Sequence, residues 1–396
     1  VAAERAVESP PWQVVIQRIE GRLQQLRYED PHILEDPARL QARFPFAAEL
    51  LMGHLRYSTY SSMSEDMVHP LWRENNWRSR SLLMAGNFNL TNTEDLFQKL
   101  VALGQHPRIK SDLIVMMERM GHFLEEAVDA LVHRLRHEQG LTKEEITARI
   151  PAELDLFPIL REAAQYWDGG YAMGGLIGHG EYFVMRDAAG IRPAYYYEDD
   201  EVVAMASERP ALITAFNAPV EQVQELPPAH AMRVRRDGSL QVAPFTEAAP
   251  QPAHCSFERI YFSRGNDPAI YQERLELGRQ VVPEVLHALE GDLQNAVFTF
   301  IPNTAQIAFW GMLKGLEDVH NAEKVKAIQA LNGTGTAAQI QAILNERVRA
   351  EHVVIKDTKL RTFITEEGKR DVLAAHVYDI TQGTLRAGED TLVAID

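Results

Sequence analysis

The sequence carries a single cysteine, Cys255, so no disulfide can close within it and no cysteine-only zinc or iron–sulfur site can be built from it. A reducing, cytoplasmic setting is the expectation. Long apolar runs are missing as well. Nothing approaches the about 18 uninterrupted apolar residues of a membrane span, and the first residues lack the basic, apolar and small-residue succession of a secretion signal. No membrane partner is expected. Basic residues are the minority charge, 40 Lys and Arg against 56 Asp and Glu, and the net charge of −16 repels a phosphate backbone. That excludes general nucleic-acid binding while leaving room for one local basic pocket. The metal-binding spacings HExxH, HxH and CxxC are absent. What is present is a globular composition, 45% hydrophobic and 24% charged over 396 residues, enough for two or three domains with real cores.

Apolar periodicity orders the chain. Val14, Val15, Ile19, Leu23 and Leu26 stand near helical spacing within 13–27. The stretches AELLMGHLRYST (48–59) and SLLMAGNFNLTN (81–92) each run from a strand-like segment into loop-forming residues, the places where catalytic groups often sit. Helical spacing returns at 93–103 and at 111–137, where Leu113, Met116, Met120, Phe123 and Leu124 form one stripe. YAMGGLIG, EYFVMRD, AYYYEDDEVVAMAS and AMRVRRDGSLQVAPF then read as strands joined by Gly, Asp and Pro turns. TEAAPQPAH (246–254) is a candidate linker. Beyond it, a helix over 269–289, a strand at NAVFTFIP, a helix over 304–318 and a last strand at LVAID alternate as in an α/β domain with a mainly parallel sheet. Residues 319–352 read as a helical surface insertion broken at 332–336. The start at Val1 and the close on TLVAID give the sequence the look of an internal fragment.

Three motifs admit two readings each. Arg56 in GHLRYST is either a fork for a carboxylate or one half of a structural salt bridge. The asparagines of GNFNLTN are either oxyanion donors or a turn in which Thr91 or Asn92 caps the helix beginning near Glu94. Ser111-Asp112 is either a helix start or, if Asp112 faces a cleft, an ammonium site. RDAAGIRPAYYY and ASERP read as turns between strands, with an Arg–Asp pair.

Taken in order, GHLRYST, GNFNLTN, the SD before a helix, DGGYAM, RDAAGIRPAYYY, ASERP, CSFERIYFSRGND, IPNT, LRTFI and LVAID resemble the glutamine amidophosphoribosyltransferases over most of the chain. That resemblance implies an α+β domain followed by an α/β domain. The first, over 1–245, would be an N-terminal nucleophile hydrolase αββα sandwich without its start. The second, over 255–396, would be a type I phosphoribosyltransferase domain cut at the loop that binds phosphoribosyl pyrophosphate (PRPP). The implied reaction converts glutamine, PRPP and water into phosphoribosylamine, glutamate and pyrophosphate, the first step of de novo purine synthesis. The resemblance implies Arg56 for the glutamine carboxylate, Asp112 for its amino group, Asn87 for the oxyanion hole, Thr304 and Asp396 for Mg2+ and PRPP, and Arg361 for the pyrophosphate. The thiol nucleophile would lie upstream of Val1, so the chain itself is expected to be inactive. Cys255 matches a position that ligates an iron–sulfur cluster in some members, against a buried structural role. Phe88 stands where the family has glycine, and Asn303 where it often has an acid. Purine nucleotides as feedback ligands and a homo-oligomer are further implications. The alternatives are another glutamine amidotransferase sharing the first domain, such as a glucosamine-phosphate or glutamate synthase, and a non-catalytic PRPP or nucleotide sensor.

Overall fold

The computed structural model describes residues 21–22, 24–44, 47–55, 68–107, 109–356 and 377–396. The chain divides into two compact units, Val1–His254 and Cys255–Asp396.

Unit 1 is built on a six-stranded antiparallel sheet, β1 (Leu71–Arg73), β2 (Leu82–Leu90), β3 (Gly169–Ile177), β4 (Glu181–Arg186), β8 (His230–Val234) and β9 (Leu240–Pro244), adjacent in that order. Alternation gives the sheet two apolar faces. On one, Met84, Met173, Phe183, Met185 and Ala231 join the helices α1 (Thr93–Ala102), α2 (Asp112–His137), α3 (Lys143–Glu153) and α4 (Leu156–Ala164) in the largest core. Leu113, Met116, Met120 and Leu124 of the predicted stripe are buried there, and Phe123 packs against them. Each such buried side chain contributes about 1.5–3 kcal/mol relative to exposure. On the other face, Ala172, Val184 and Met232 meet Tyr196, Val203 and Met205 from a second sheet, β6 (Val203–Ala206), β5 (Tyr195–Glu198) and β7 (Gln224–Glu225). Tyr195 and Tyr197 pack outward with Leu212 of α5 (Arg209–Phe216). The stacking order in unit 1 is therefore helices, sheet, sheet, helix.

Helix ends follow their capping chemistry. Ser111 Oγ accepts from Ile114 N at the start of α2, and Thr142 with Glu145 closes a capping box on α3. Asn92 occupies the N-cap position of α1 without capping it. Its amide donates to Tyr166 O at 2.8 Å and accepts from Asp168 N at 3.3 Å, tying the helix start to the entrance of β3.

One expectation in unit 1 changes. Residues 48–55 form neither strand nor helix, and Leu51 and Leu55 are exposed, so their apolar character does not report burial. Arg186 and Asp187, adjacent at the end of β4, take different partners. Asp187 accepts backbone N–H bonds from Tyr171, Ala189, Ile191 and Arg192. Arg186 donates to the carbonyls of Gly190, Arg192 and Leu226 and pairs with Glu225 at 2.7 Å. Residues 246–254 are tied to the turn after β4, with Ala249 N and Ala253 N bonding Ala188 O and Ala189 O at 2.8 Å each.

Unit 2 centres on a parallel sheet of β11 (Arg349–Ala350), β10 (Ala296–Phe300) and β14 (Thr391–Ile395). The predicted helix over 269–289 is two, α6 (Pro268–Gln280) and α7 (Val282–Ala288), with Pro283 in the first turn of the second, where its missing N–H is no loss. The helix after β10, α8, runs unbroken from Gln306 to Ala330, past the expected boundary at 319, and α9 (Ala337–Asn345) follows a turn, capped by Thr336 and Gln339. Glycines let α6 and α8 touch backbone to backbone: a methyl group on Gly278 would collide with Ala308 O, and one on Gly311 with Leu275 O. A short antiparallel pair, β12 (Val354–Lys356) and β13 (Tyr378–Ile380), flanks residues 357–376. Asp390 is covered by Arg349 and by Arg386, whose backbone N–H and guanidinium both reach it, and those hydrogen bonds hold its carboxyl at about 2.

Candidate functional site

Asn87 lies within β2, not in a loop after it: the strand continues to Leu90, and Asn87 pairs in register with Ala172. It shares the inter-sheet face with Ala172 and is half-buried. Phe88 points the other way, packs against the helix-side core, and stacks on His69 at 5.5 Å with 18° between ring planes. The bulk of Phe88 is thus taken up on the face opposite the Asn87 side chain. His69 itself closes on the same strand: Gly86 N–H reaches its Nδ1 at 3.5 Å, and its ring lies 4.4 Å from that of His54. His69 was not picked out from sequence. The histidine–proline step just before β1 was its only signal, and a lone histidine has no periodicity to mark it.

Asp112 is the first residue of α2, half-buried, directly after the capping Ser111. An acid in a first turn stabilises the helix through the positive end of its dipole. Asp112 makes no side-chain hydrogen bond or ion pair among the described residues, so its charge remains available to a cation. The helix-start reading of Ser111-Asp112 holds, with Ser111 as the cap. Asn87 and Asp112 do not bond each other. Nearby, burial raises the Tyr171 hydroxyl well above its ordinary value, and the charge of Asp187 pushes in the same direction. That phenol stays protonated and structural.

In unit 2 the loop 301–305 leaves the end of β10 and enters α8, carrying Thr304. Asp396 directly follows β14, which is parallel to β10 with Phe300 opposite Ile395, and Ile301 N bonds Ile395 O at 2.9 Å. Thr304 and Asp396 thus lie beyond the C-terminal ends of neighbouring parallel strands, where open α/β sheets bind ligands. Asp396 is exposed. One carboxylate and one hydroxyl, with no group of three or more His, Cys, Asp or Glu among the described residues, fit a Mg2+ that arrives on a diphosphate and keeps water and phosphate oxygens as most of its ligands. They do not form a protein cage. Arg56 and Arg361 lie outside the described residues. Cys255 is a partly covered thiol, less buried than a core cysteine. No helix among the described residues is long and apolar enough to cross a membrane.

Curated proteins resemble the chain across this layout. The amidophosphoribosyltransferase of Rhizobium etli is 26% identical over 251 residues, 61% of this chain and 43% of that protein. That of Methanothermobacter thermautotrophicus is 23% identical over 240 residues, 59% of this chain and 43% of its own length. The chain is similar to amidophosphoribosyltransferases. It spans just under half the length of these curated relatives. The glutamine–fructose-6-phosphate aminotransferase of Xanthomonas campestris matches too, 26% identical over 214 residues, 53% of this chain and 32% of that protein. No family model matches. Among solved structures, the glutamine PRPP amidotransferase from B. subtilis complexed with ADP and GMP superposes with a TM-score of 0.54 at 20% identity, over 87% of this chain and 60% of that one. The structure of the allosteric regulatory enzyme of purine biosynthesis gives 0.53 at 21%, over 86% of this chain and 59% of that one. The fold shared with these amidophosphoribosyltransferase structures is mixed α and β with several sheets.

Proposed function

We propose that the chain serves an amidophosphoribosyltransferase, which releases ammonia from glutamine and uses it to displace pyrophosphate from PRPP. The observation that carries this reading is that the likeness to the solved PRPP amidotransferase covers 87% of the chain, more than unit 1 alone supplies. Unit 1 is read as an N-terminal nucleophile hydrolase sandwich, supported by its helix, sheet, sheet, helix stacking. Unit 2 is read as a type I phosphoribosyltransferase domain, supported by its parallel sheet and by ligand candidates at the strand ends.

The assigned roles follow from charge and position. Arg56 grips the glutamine carboxylate through two parallel hydrogen bonds, and Asp112 holds the α-ammonium. Asn87 donates to the oxyanion that develops as the amide carbonyl is attacked by a thiolate, the step where fixed donors contribute most. In unit 2, Thr304 and Asp396 would hold a magnesium ion carried on PRPP, which when bound offsets leaving-group charge. Arg361 adds a second cation on the pyrophosphate. Water must be excluded there so that ammonia is the nucleophile that reaches the sugar. Purine nucleotides are the candidate feedback ligands, given the ADP and GMP in one relative's structure, and a homo-oligomer in the cytoplasm is the expected form.

The aminotransferase relative supports one other reading, in which unit 1 serves a different nitrogen acceptor. Calorimetric titration separates the two. Glutamine binding should fall at least tenfold in Asp112→Asn while PRPP with Mg2+ binds unchanged, and Thr304→Ala should do the reverse. A chain that binds glutamine but not PRPP belongs to the other reading; one that binds neither refutes both.

A further inference from the structure

A cavity of about 420 Å³ opens in unit 2 between α8, α9 and the approach to β11, lined by Glu317, His320, Asn321, Lys324, Leu344 and Arg347, with Val348 at its floor. Lys324 is 7% exposed and its ammonium has one hydrogen bond, to Glu346 O at 2.5 Å. It has no carboxylate partner among the described residues. Covering a charged ammonium without a counter-ion is costly, and the cost is normally removed by an ion pair or a ligand. The Nε2 of His320 is covered and without a hydrogen bond, the Glu346 carboxylate being 4.0 Å off. Arg347 stands at the rim and spends one nitrogen on the carbonyls of Leu344 and Glu346. Three groups able to carry positive charge, two with unused donors inside the cavity, therefore converge on one space beside the Asn321 amide.

The geometry points to this cavity as a binding site for a small phosphate monoester. Phosphate oxygens satisfy the ammonium of Lys324, the imidazole of His320 and the guanidinium of Arg347 together, as charge-assisted bonds. The volume exceeds that of a bare phosphate and lies in the range of small-molecule sites, about 300–1,000 Å³. Leu344 and Val348 offer an apolar wall to the carbon body, and Glu317 accepts from a hydroxyl or amino group on it. The site is separate from the strand ends that carry Thr304 and Asp396: residues 344–348 precede β11, which runs parallel to β10, so the cavity lies toward the opposite end of the sheet. It is formed by the segment that the sequence pattern marks as an insertion, and it does not depend on the proposed reaction.

Inorganic phosphate is the probe, titrated into the 396-residue chain by calorimetry at constant ionic strength, with acetate and chloride as comparison anions. Phosphate should bind with one site that Thr304→Ala leaves unchanged and that Lys324→Met and Arg347→Ala each weaken at least tenfold. Lys324→Met keeps the side-chain volume. Should it fail to fold, the rim variant Arg347→Ala and His320→Gln carry the test. No binding to the unaltered chain, binding indifferent to all three variants, or acetate binding as tightly as phosphate would each overturn the assignment.

Discussion

Asp187 in unit 1 and Asp396 in unit 2 are the same side chain put to opposite use. Asp187 is 1% exposed and its oxygens accept four backbone N–H groups, three from the turn after β4 and one from Tyr171 of β3. Asp396 is exposed at the end of a parallel strand and carries no such bonds. The same contrast separates Arg186, spent on three carbonyls and Glu225, from Lys324, which faces a cavity with donors unspent. A polar group whose hydrogen-bonding capacity is used up by its own chain holds the fold. One that is placed but unsatisfied is where a ligand is to be sought.

The largest test of that contrast is Asp187→Ala. Four N–H donors, three in the turn and one on β3, would lose their shared buried acceptor, so unfolding should become easier by about 3–5 kcal/mol, read from urea titrations, whereas Asp396→Ala should change stability by less than about 0.5 kcal/mol. Equal costs at the two positions would break the comparison. A middle-sized effect belongs to the α6–α8 contact. Gly311→Ala forces a methyl group onto Leu275 O and should destabilise unit 2 by about 1–3 kcal/mol, while glutamine binding by unit 1 stays as it was. The smallest is a pH effect at Asp390. Its folded value of about 2 lies below the ordinary 3.8, so its contribution is complete above about 4 and is lost as pH falls through about 2. Arg386→Ala should remove most of that acid sensitivity over pH 2–4, and an unchanged stability profile would show that the pairing does not matter.

Much of this was legible in the residues. Apolar strings bounded by Gly, Asp and Pro turns marked β2, β3, β4, β8 and β9, and the Leu113–Leu124 stripe marked α2, because a helical side chain that must be buried repeats with its element. The run at 48–55 misled for the converse reason: Leu51 and Leu55 there are exposed, and composition cannot distinguish that from a strand. Local strings also could not say that Asn87 lies inside a strand, since three asparagines in seven residues look like a turn and only pairing with β3 made them a ladder. The tight α6–α8 approach was likewise invisible, a glycine in a helical pattern being the same letter whether it faces solvent or a neighbouring backbone.

The order of motifs along the chain carried the likeness to amidophosphoribosyltransferases before any coordinates, because motif order is a one-dimensional property. Which face each residue occupies is not. That Phe88 turns its ring away from Asn87, that Arg186 finds Glu225 and three carbonyls, and that Lys324 faces a cavity without pairing to a carboxylate were decided only when distant segments packed together. Burial and hydrogen-bond satisfaction depend on neighbours that the linear order does not specify.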